Sequence, residues 1–457
     1  MGLAPLKHVE KIRKGADMLD GKGRSVLLGL DGVPYRLIKR YTRAGVMPNL
    51  EGIISGGTFR EMKSTLPPIF STSWSSIMTG DNPGQHGIFG FSDVKPDTYD
   101  ITYPNFNTLK TAPFWRRWDR QHVVLNMPFT YPAPELNGYL VSGFVAPELS
   151  RSVYPDRLLE DLRDLDYRVD VDSRERQDSK QVLMQSLFEL LETREKALDL
   201  LWEKDWDVLT FVITGTDRLM QYCWEGFQDR SSPYRDKFED YFRRVDSIIG
   251  RINSRLTEQD LLTVVSDHGF GPTRQVLNLN ALLHERGFLD LDPDKAQNGL
   301  AALTEETRAF ALDPGRIYLH RQGQYPEGSV QPQEEEKLLD RLTELFEEDY
   351  VGGKPAVGEV FRGDEVYSGG HASSAPDLVL LGAENVRLNA NLDGLGGEVI
   401  QPEETFTGKR TYPDAAFVQN REVDTPKELR VKNVPKLAGL ERNEQEMNQQ
   451  MRSLGYL

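Results

Sequence analysis

The stretch Leu261–His268, LLTVVSDH, decides how the rest of the chain reads. Its first five residues form an apolar run that suits a strand buried on both faces, and the run ends on an acid–imidazole pair followed by Gly269. Val26–Asp31 (VLLGLD) repeats the arrangement with Gly32 behind it, and Val208–Asp217 (VLTFVITGTD) is a third apolar run closing on an acid. Open parallel sheets present ligands at the carboxyl ends of their strands, so these runs predict Asp31, Asp217, Asp267 and His268 along one edge. Pro376–Leu381 (PDLVLL) reads as a fourth strand of the same kind.

Between the runs the period changes. Gln181–Lys204 and Tyr234–Leu256 carry apolar residues at helical spacing, and each leads directly into one of the strands. Strand–helix–strand crossovers of this length predict an α/β fold with a mostly parallel central sheet and helices on both faces. A helix is expected after the first strand, through about Ile54, with Pro48 interrupting it. Further strands are expected at His122–Asn126 and Ala415–Val418, and an acidic helix at Glu334–Glu348. Residues 1–24 read as a helical lead-in and 25–420 as one large domain. Cap-type insertions fall at about 92–180 and 285–330; the many Pro, Tyr and Trp residues between Asp93 and Gly143 suit a loop-rich cap. Residues 421–457 form a charged tail, draped on the surface or used for oligomerisation.

The chain has 457 residues and a net charge of −16, which argues against nucleic acid or an anionic membrane surface as the partner. No run of about 18 apolar residues predicts a membrane span. The first 24 residues are charged and lack the apolar core of a signal peptide. The single cysteine, Cys223, excludes an internal disulfide and suits a reducing cytoplasm.

Three carboxylates and an imidazole at one sheet edge make a site for a hard or borderline divalent cation. Asp31 taken alone reads better as a cap of the following helix. An adjacent Asp–His pair is harder to bury without partners, and three coincidences together favour the metal reading. Pro67–Gly80 runs from a rigid turn into a hydroxyl-rich helix, where hydroxyls either cap the first turn or serve as a nucleophile. His86 reads as structural, Cys223 as a small core residue and His371 as a solvent-facing loop histidine. Trp115, Trp118, Tyr131 and Phe144 suit either packing of the cap or stacking on a base or sugar.

Taken in order, these motifs resemble the type I phosphodiesterase/nucleotide pyrophosphatase branch of the alkaline phosphatase superfamily. The resemblance rests on Gly29–Gly32, the Trp74–Phe91 run, Thr216–Arg218 with Trp224, Val265–Phe270 and Ala375–Val379. It implies an alkaline-phosphatase-like fold that holds two divalent cations, typically zinc, with a Thr or Ser that attacks phosphorus. One implied cation site, Asp31, Asp267 and His268, is complete. The other would use Asp217, but Gln221 stands where a His is expected four residues later, and Lys409–Tyr412, just before Pro413–Asp414, holds no His. The implied nucleophile position falls on Phe70, with Ser71 and Thr72 beside it.

The expectation is therefore a metal-dependent hydrolase of a phosphodiester or pyrophosphate bond in a small nucleotide-like or sugar-like molecule. It would hold one zinc ion rather than two, manganese being the other choice. Ser71 or Thr72 would attack, and Arg410, Lys409 or Arg218 would replace the second cation's charge. A water nucleophile is the variant reading. A catalytically impaired homologue that binds a ligand or protein partner is the alternative. A sulfatase-like site is the third, and the lack of a Cys-x-Pro-x-Arg stretch speaks against it.

Overall fold

The computed structural model describes residues 23–441 apart from 96, 172–178, 352, 393–394 and 396. The expected lead-in over 1–24 lies almost wholly outside the described residues, as does the tail from 442 onward.

The three larger sheets hold sixteen strands: β1 Ser25–Leu30, β2 Thr58–Met62, β3 His122–Met127, β4 Gly138–Ser142, β5 Val153–Tyr154, β6 Val208–Ile213, β7 Leu261–Val265, β8 Gly269–Asn278, β9 Ala309–Leu312, β10 Arg316–Leu319, β11 Val357–Arg362, β12 Leu378–Gly382, β13 Asn385–Asn389, β14 Ile400–Pro402, β15 Gly408–Thr411 and β16 Ala415–Gln419. The α-helices of nine residues or more are α1 Tyr35–Arg43, α2 Pro48–Gly56, α3 Phe70–Thr79, α4 Lys180–Trp202, α5 Gly215–Cys223, α6 Arg235–Ser254 and α7 Glu335–Glu347. Pro48 opens α2 rather than kinking one long helix, because its missing N–H costs nothing in a first turn.

The central sheet runs β2-β16-β7-β1-β6-β3-β4-β5. Its middle strands, from β7 to β4, are parallel, and the outer pairs are antiparallel. Residues of β1 alternate between two cores. Val26, Leu28 and Leu30 join the core under α1, α2, α4 and α6, whereas Leu27 faces the core that holds α3. An all-apolar strand is what burial on both faces demands.

Four sequence expectations change here. The stretch 92–180 is no separate cap, since it supplies β3, β4 and β5 to the central sheet. Pro376–Leu381 is not a central strand: β12 lies in the four-stranded sheet β9-β10-β12-β11, and Asp377 pairs with Arg321 at 2.6 Å. That sheet, α7 and β13 share their own core, running from Leu277 to Leu388, so the subsidiary body is wider than 285–330. Finally, the first half of the tail is packed, with Leu429, Val431, Val434 and Leu440 buried against α3.

Candidate active site

Strand β1 lies between β6 and β7, with Leu30 beside Ile213 and Gly29 beside Val265. The next residues of each chain therefore emerge together at the carboxyl edge. Asp31 follows β1, Asp217 sits in the first turn of α5, and Asp267–His268 follows β7. The turns are tied: Thr216 donates its hydroxyl to Asp31 O at 2.7 Å and Ile213 O at 2.8 Å, and Gly32 N donates to Asp267 Oδ1 at 2.9 Å. Gly32 is obligatory on two counts. Its φ is +73°, and a Cβ there would lie 2.9 Å from His268 Cε1.

His268 donates from Nδ1 to Gly269 O at 3.0 Å. A carbonyl only accepts, so Nδ1 carries a hydrogen, and in the neutral ring Nε2 offers its lone pair to the cluster. That lone pair faces Asp267 Oδ2 at 3.4 Å, Asp217 Oδ1 at 3.7 Å and Asp31 Oδ1 at 3.8 Å. Both His268 Nε2 and Asp267 Oδ2 are buried without a hydrogen-bond partner. Ligand atoms of Asp31, Asp267 and His268 lie within 4.8 Å of one another. A bare nitrogen among carboxylate oxygens is repulsive until a positive charge enters, so this donor set fits a divalent cation. Burial, then the charges of Asp267 and Asp217, push the Asp31 carboxyl well above the usual carboxylate range.

Asp217 is in a different position. Burial works to raise its carboxyl, but Arg410 and Arg218 prevail and hold it below the ordinary value. Arg410 reaches it with Nε at 3.1 Å and Nη2 at 3.0 Å, and Arg218 Nη1 adds a contact at 2.9 Å. Arg218 is itself anchored by Asp170 at 2.9 Å and lies over the Phe144 ring at 4.4 Å. Both Asp217 oxygens are thus engaged by guanidinium. Arg410 arrives on β15, which pairs with β8 so that Arg410 sits opposite Phe270. Lys409, its neighbour, points the other way, into the carbonyls of Gly382, Ala383 and Val386. Gln221 lines a cleft of about 790 Å³ together with Arg36, Phe91 and Arg410.

The start of α3 supplies no free hydroxyl to this cluster. Phe70 packs on Phe91 (4.9 Å) and Phe144 (5.2 Å), and Trp74, one turn on, reaches Asp31 Oδ1 from Nε1 at 3.4 Å. Trp74 lies close over the sheet because Gly29 has no Cβ to block it. That face of α3 meets the site. Ser71 donates to Gly90 O at 3.1 Å instead. Thr72 lies about 200° round the helix from Phe70; its buried hydroxyl has no partner. No side chain caps the helix either.

The remaining residues behave as solvent-averse structure. His86 bonds Ser76 at 2.9 Å and accepts from Ile88 N, and burial lowers it to about 3. Burial pushes the Cys223 thiol up to about 12. His371 lies against the Gly84–Gly87 turn, beyond the far end of α3. Trp115 stacks on Phe106, Trp118 lies under Arg120 and Tyr131 under Arg151, so packing accounts for these three rings. Asp170 was not singled out from the sequence, where no motif marks it. No helix among the described residues is long and apolar enough to cross a membrane.

Solved structures similar to this one share its fold across almost the whole chain. Phosphonoacetate hydrolase from Sinorhizobium meliloti 1021, in complex with phosphonoformate, has a TM-score of 0.59 at 17% identity, covering 92% of this chain and 95% of its own. Human ectonucleotide pyrophosphatase/phosphodiesterase 5 has a TM-score of 0.54 at 11% identity, covering 91% and 94%. The murine enzyme, as its inactive T72A form with AMP, gives 0.54 at 12%, covering 91% and 94%. No curated protein sequence matches significantly. The fold is alkaline-phosphatase-like, as the sequence implied. The sequence profile of the type I phosphodiesterase / nucleotide pyrophosphatase family matches residues 25–412. The chain therefore belongs to that family, whose class of activity is the hydrolysis of phosphoric esters.

Proposed function

We propose that the chain hydrolyses a small phosphoric ester, a phosphodiester or pyrophosphate, at one divalent cation held by Asp31, Asp267 and His268. The observation that carries this reading is the lone pair of His268 Nε2, unpartnered and aimed at buried carboxylates beside a guanidinium. Zinc suits the mixed oxygen and nitrogen donors, and when bound it would polarise a phosphoryl oxygen and acidify water. One ion is proposed rather than two because Asp217 already holds two arginines.

The side chains supply the rest. Arg410 spends two of its N–H donors on Asp217 and faces the cleft with the others, which positions it to bind non-bridging phosphoryl oxygens. Arg218, clamped between Asp170 and Asp217, adds fixed positive charge behind it. With Phe70 a hydrocarbon, Ser71 engaged and Thr72 turned away, the attacking oxygen is assigned to water rather than to α3. Ser71 remains the side-chain alternative, since only its bond to Gly90 must break. The impaired-homologue reading is favoured by one observation, the three packed rings of Phe70, Phe91 and Phe144 beside the cluster.

The test is metal content of chelator-free protein alongside hydrolysis of a p-nitrophenyl phosphodiester with added zinc or manganese. Bound metal with turnover supports the proposal. Bound metal without turnover on several esters favours a ligand-binding homologue, and neither metal nor turnover discards the site.

A further inference from the structure

Strand β15 is only four residues long and pairs along one side with β8. Its side chains alternate, as strand geometry requires. Arg410 points to Asp217, and Lys409 points into the subsidiary body. There its ammonium donates to Gly382 O at 2.6 Å and Val386 O at 2.7 Å, and also to Ala383 O. An ammonium has three donors, so the turn between β12 and β13 saturates it. No carboxylate pairs with it at salt-bridge distance among the described residues. Burial lowers the Lys409 amine to about 8, so holding it charged there is costly, and the three carbonyl bonds offset that cost. The same turn, from Gly382 to Arg387, walls the 790 Å³ cleft that reaches Arg410.

We infer that Lys409 is a positioning residue: it fixes β15 to the β12–β13 turn and thereby sets where the Arg410 guanidinium stands in the lining of the cleft. The ladder to β8 fixes the height of β15 in its sheet. The three carbonyl bonds fix its distance from the opposite wall. Displacement of a substrate-holding group by about 1 Å costs on the order of a hundredfold in rate, so a loosened β15 should show in turnover. The turnover part of this inference rests on the proposed role of Arg410; the geometric part does not.

The experiment compares wild type, Lys409→Met and Lys409→Arg, each loaded with zinc. Hydrogen–deuterium exchange of the peptide covering 408–412 is read first, then zinc content, then kcat and KM for the p-nitrophenyl phosphodiester. Lys409→Met should speed exchange of that peptide at least fivefold with zinc content unchanged, and lower kcat about ten- to a hundredfold. Lys409→Arg should recover exchange protection and most of kcat. Unchanged exchange in Lys409→Met, or equal loss in both variants, overturns the inference. If wild type has no turnover, the proposed function fails separately, and the exchange comparison still decides the role of Lys409. If Lys409→Met does not fold, Lys409→Arg alone is read: wild-type exchange supports the inference, and faster exchange overturns it.

Discussion

Arg410 holds Asp217 through two near-parallel bonds, Nε to Oδ1 at 3.1 Å and Nη2 to Oδ2 at 3.0 Å. Three of the four carboxylate–imidazole groups at the sheet edge are thereby left without a guanidinium partner, while the fourth is neutralised by protein. This division of labour makes separable predictions.

Asp267→Asn should abolish stoichiometric zinc binding while the fold persists. The amide oxygen still accepts from Gly32 N, so the turn survives, but a charged ligand is gone. Inductively coupled plasma measurement and a thermal melt read the two effects. Zinc retained at one equivalent would discard the ligand assignment.

Arg410→Ala should weaken inhibition by inorganic phosphate about ten- to a hundredfold, the worth of a charge-assisted pair of bonds. Arg410→Lys should rescue little, because an ammonium cannot reproduce the fork. Zinc content should stay at one equivalent. Combining Arg410→Ala with Gln221→His frees Asp217 Oδ1, while Arg218 keeps Oδ2, and supplies a nitrogen donor, so zinc content should then rise above one.

Ser71→Ala should retain turnover within about fivefold, since removing one neutral hydrogen bond to Gly90 O is worth about 1 kcal/mol. Thr72→Val should do the same. A loss of more than a hundredfold in Ser71→Ala with zinc intact would return the nucleophile to α3.

Stability should fall as the pH drops from about 6.5 toward 3. Burial lowers His86 to about 3 and His122 to about 4, whereas the unfolded imidazoles titrate near 6.5. The unfolded chain binds more protons in that window, so each site contributes about 1.4 kcal/mol per pH unit, fully present above 6.5 and lost on acidification. Asp414, raised to about 6 chiefly by burial, opposes this between its unfolded value and 6. In denaturant melts from pH 4 to 6.5, His86→Gln should flatten the slope. An unchanged slope would show that His86 is not the source.

Much of the site was legible because local pattern carries it. An apolar run ending in Asp places that Asp at a strand end, and helical spacing between runs forces the parallel order that brings Asp31, Asp217 and Asp267 together. Pro376–Leu381 failed for the same reason, since an apolar run does not say which sheet it joins. Asp170 was invisible: its partner Arg218 lies far along the chain, and an ion pair leaves no periodic trace. The directions of Ser71 and Thr72 could not be read from composition, because hydroxyl count says nothing about the helix face that each residue occupies.

The adjacency of β1 and β7 has a temporal consequence. The proposed cation ligands come from positions 31 and 267–268, so the donor set does not exist until a strand made early in synthesis has paired with one made much later. Contacts of such long sequence separation form slowly. Cation uptake should therefore mark the end of folding rather than nucleate it, and a nascent chain released before β7 should leave zinc in solution however much of its helical shell has formed.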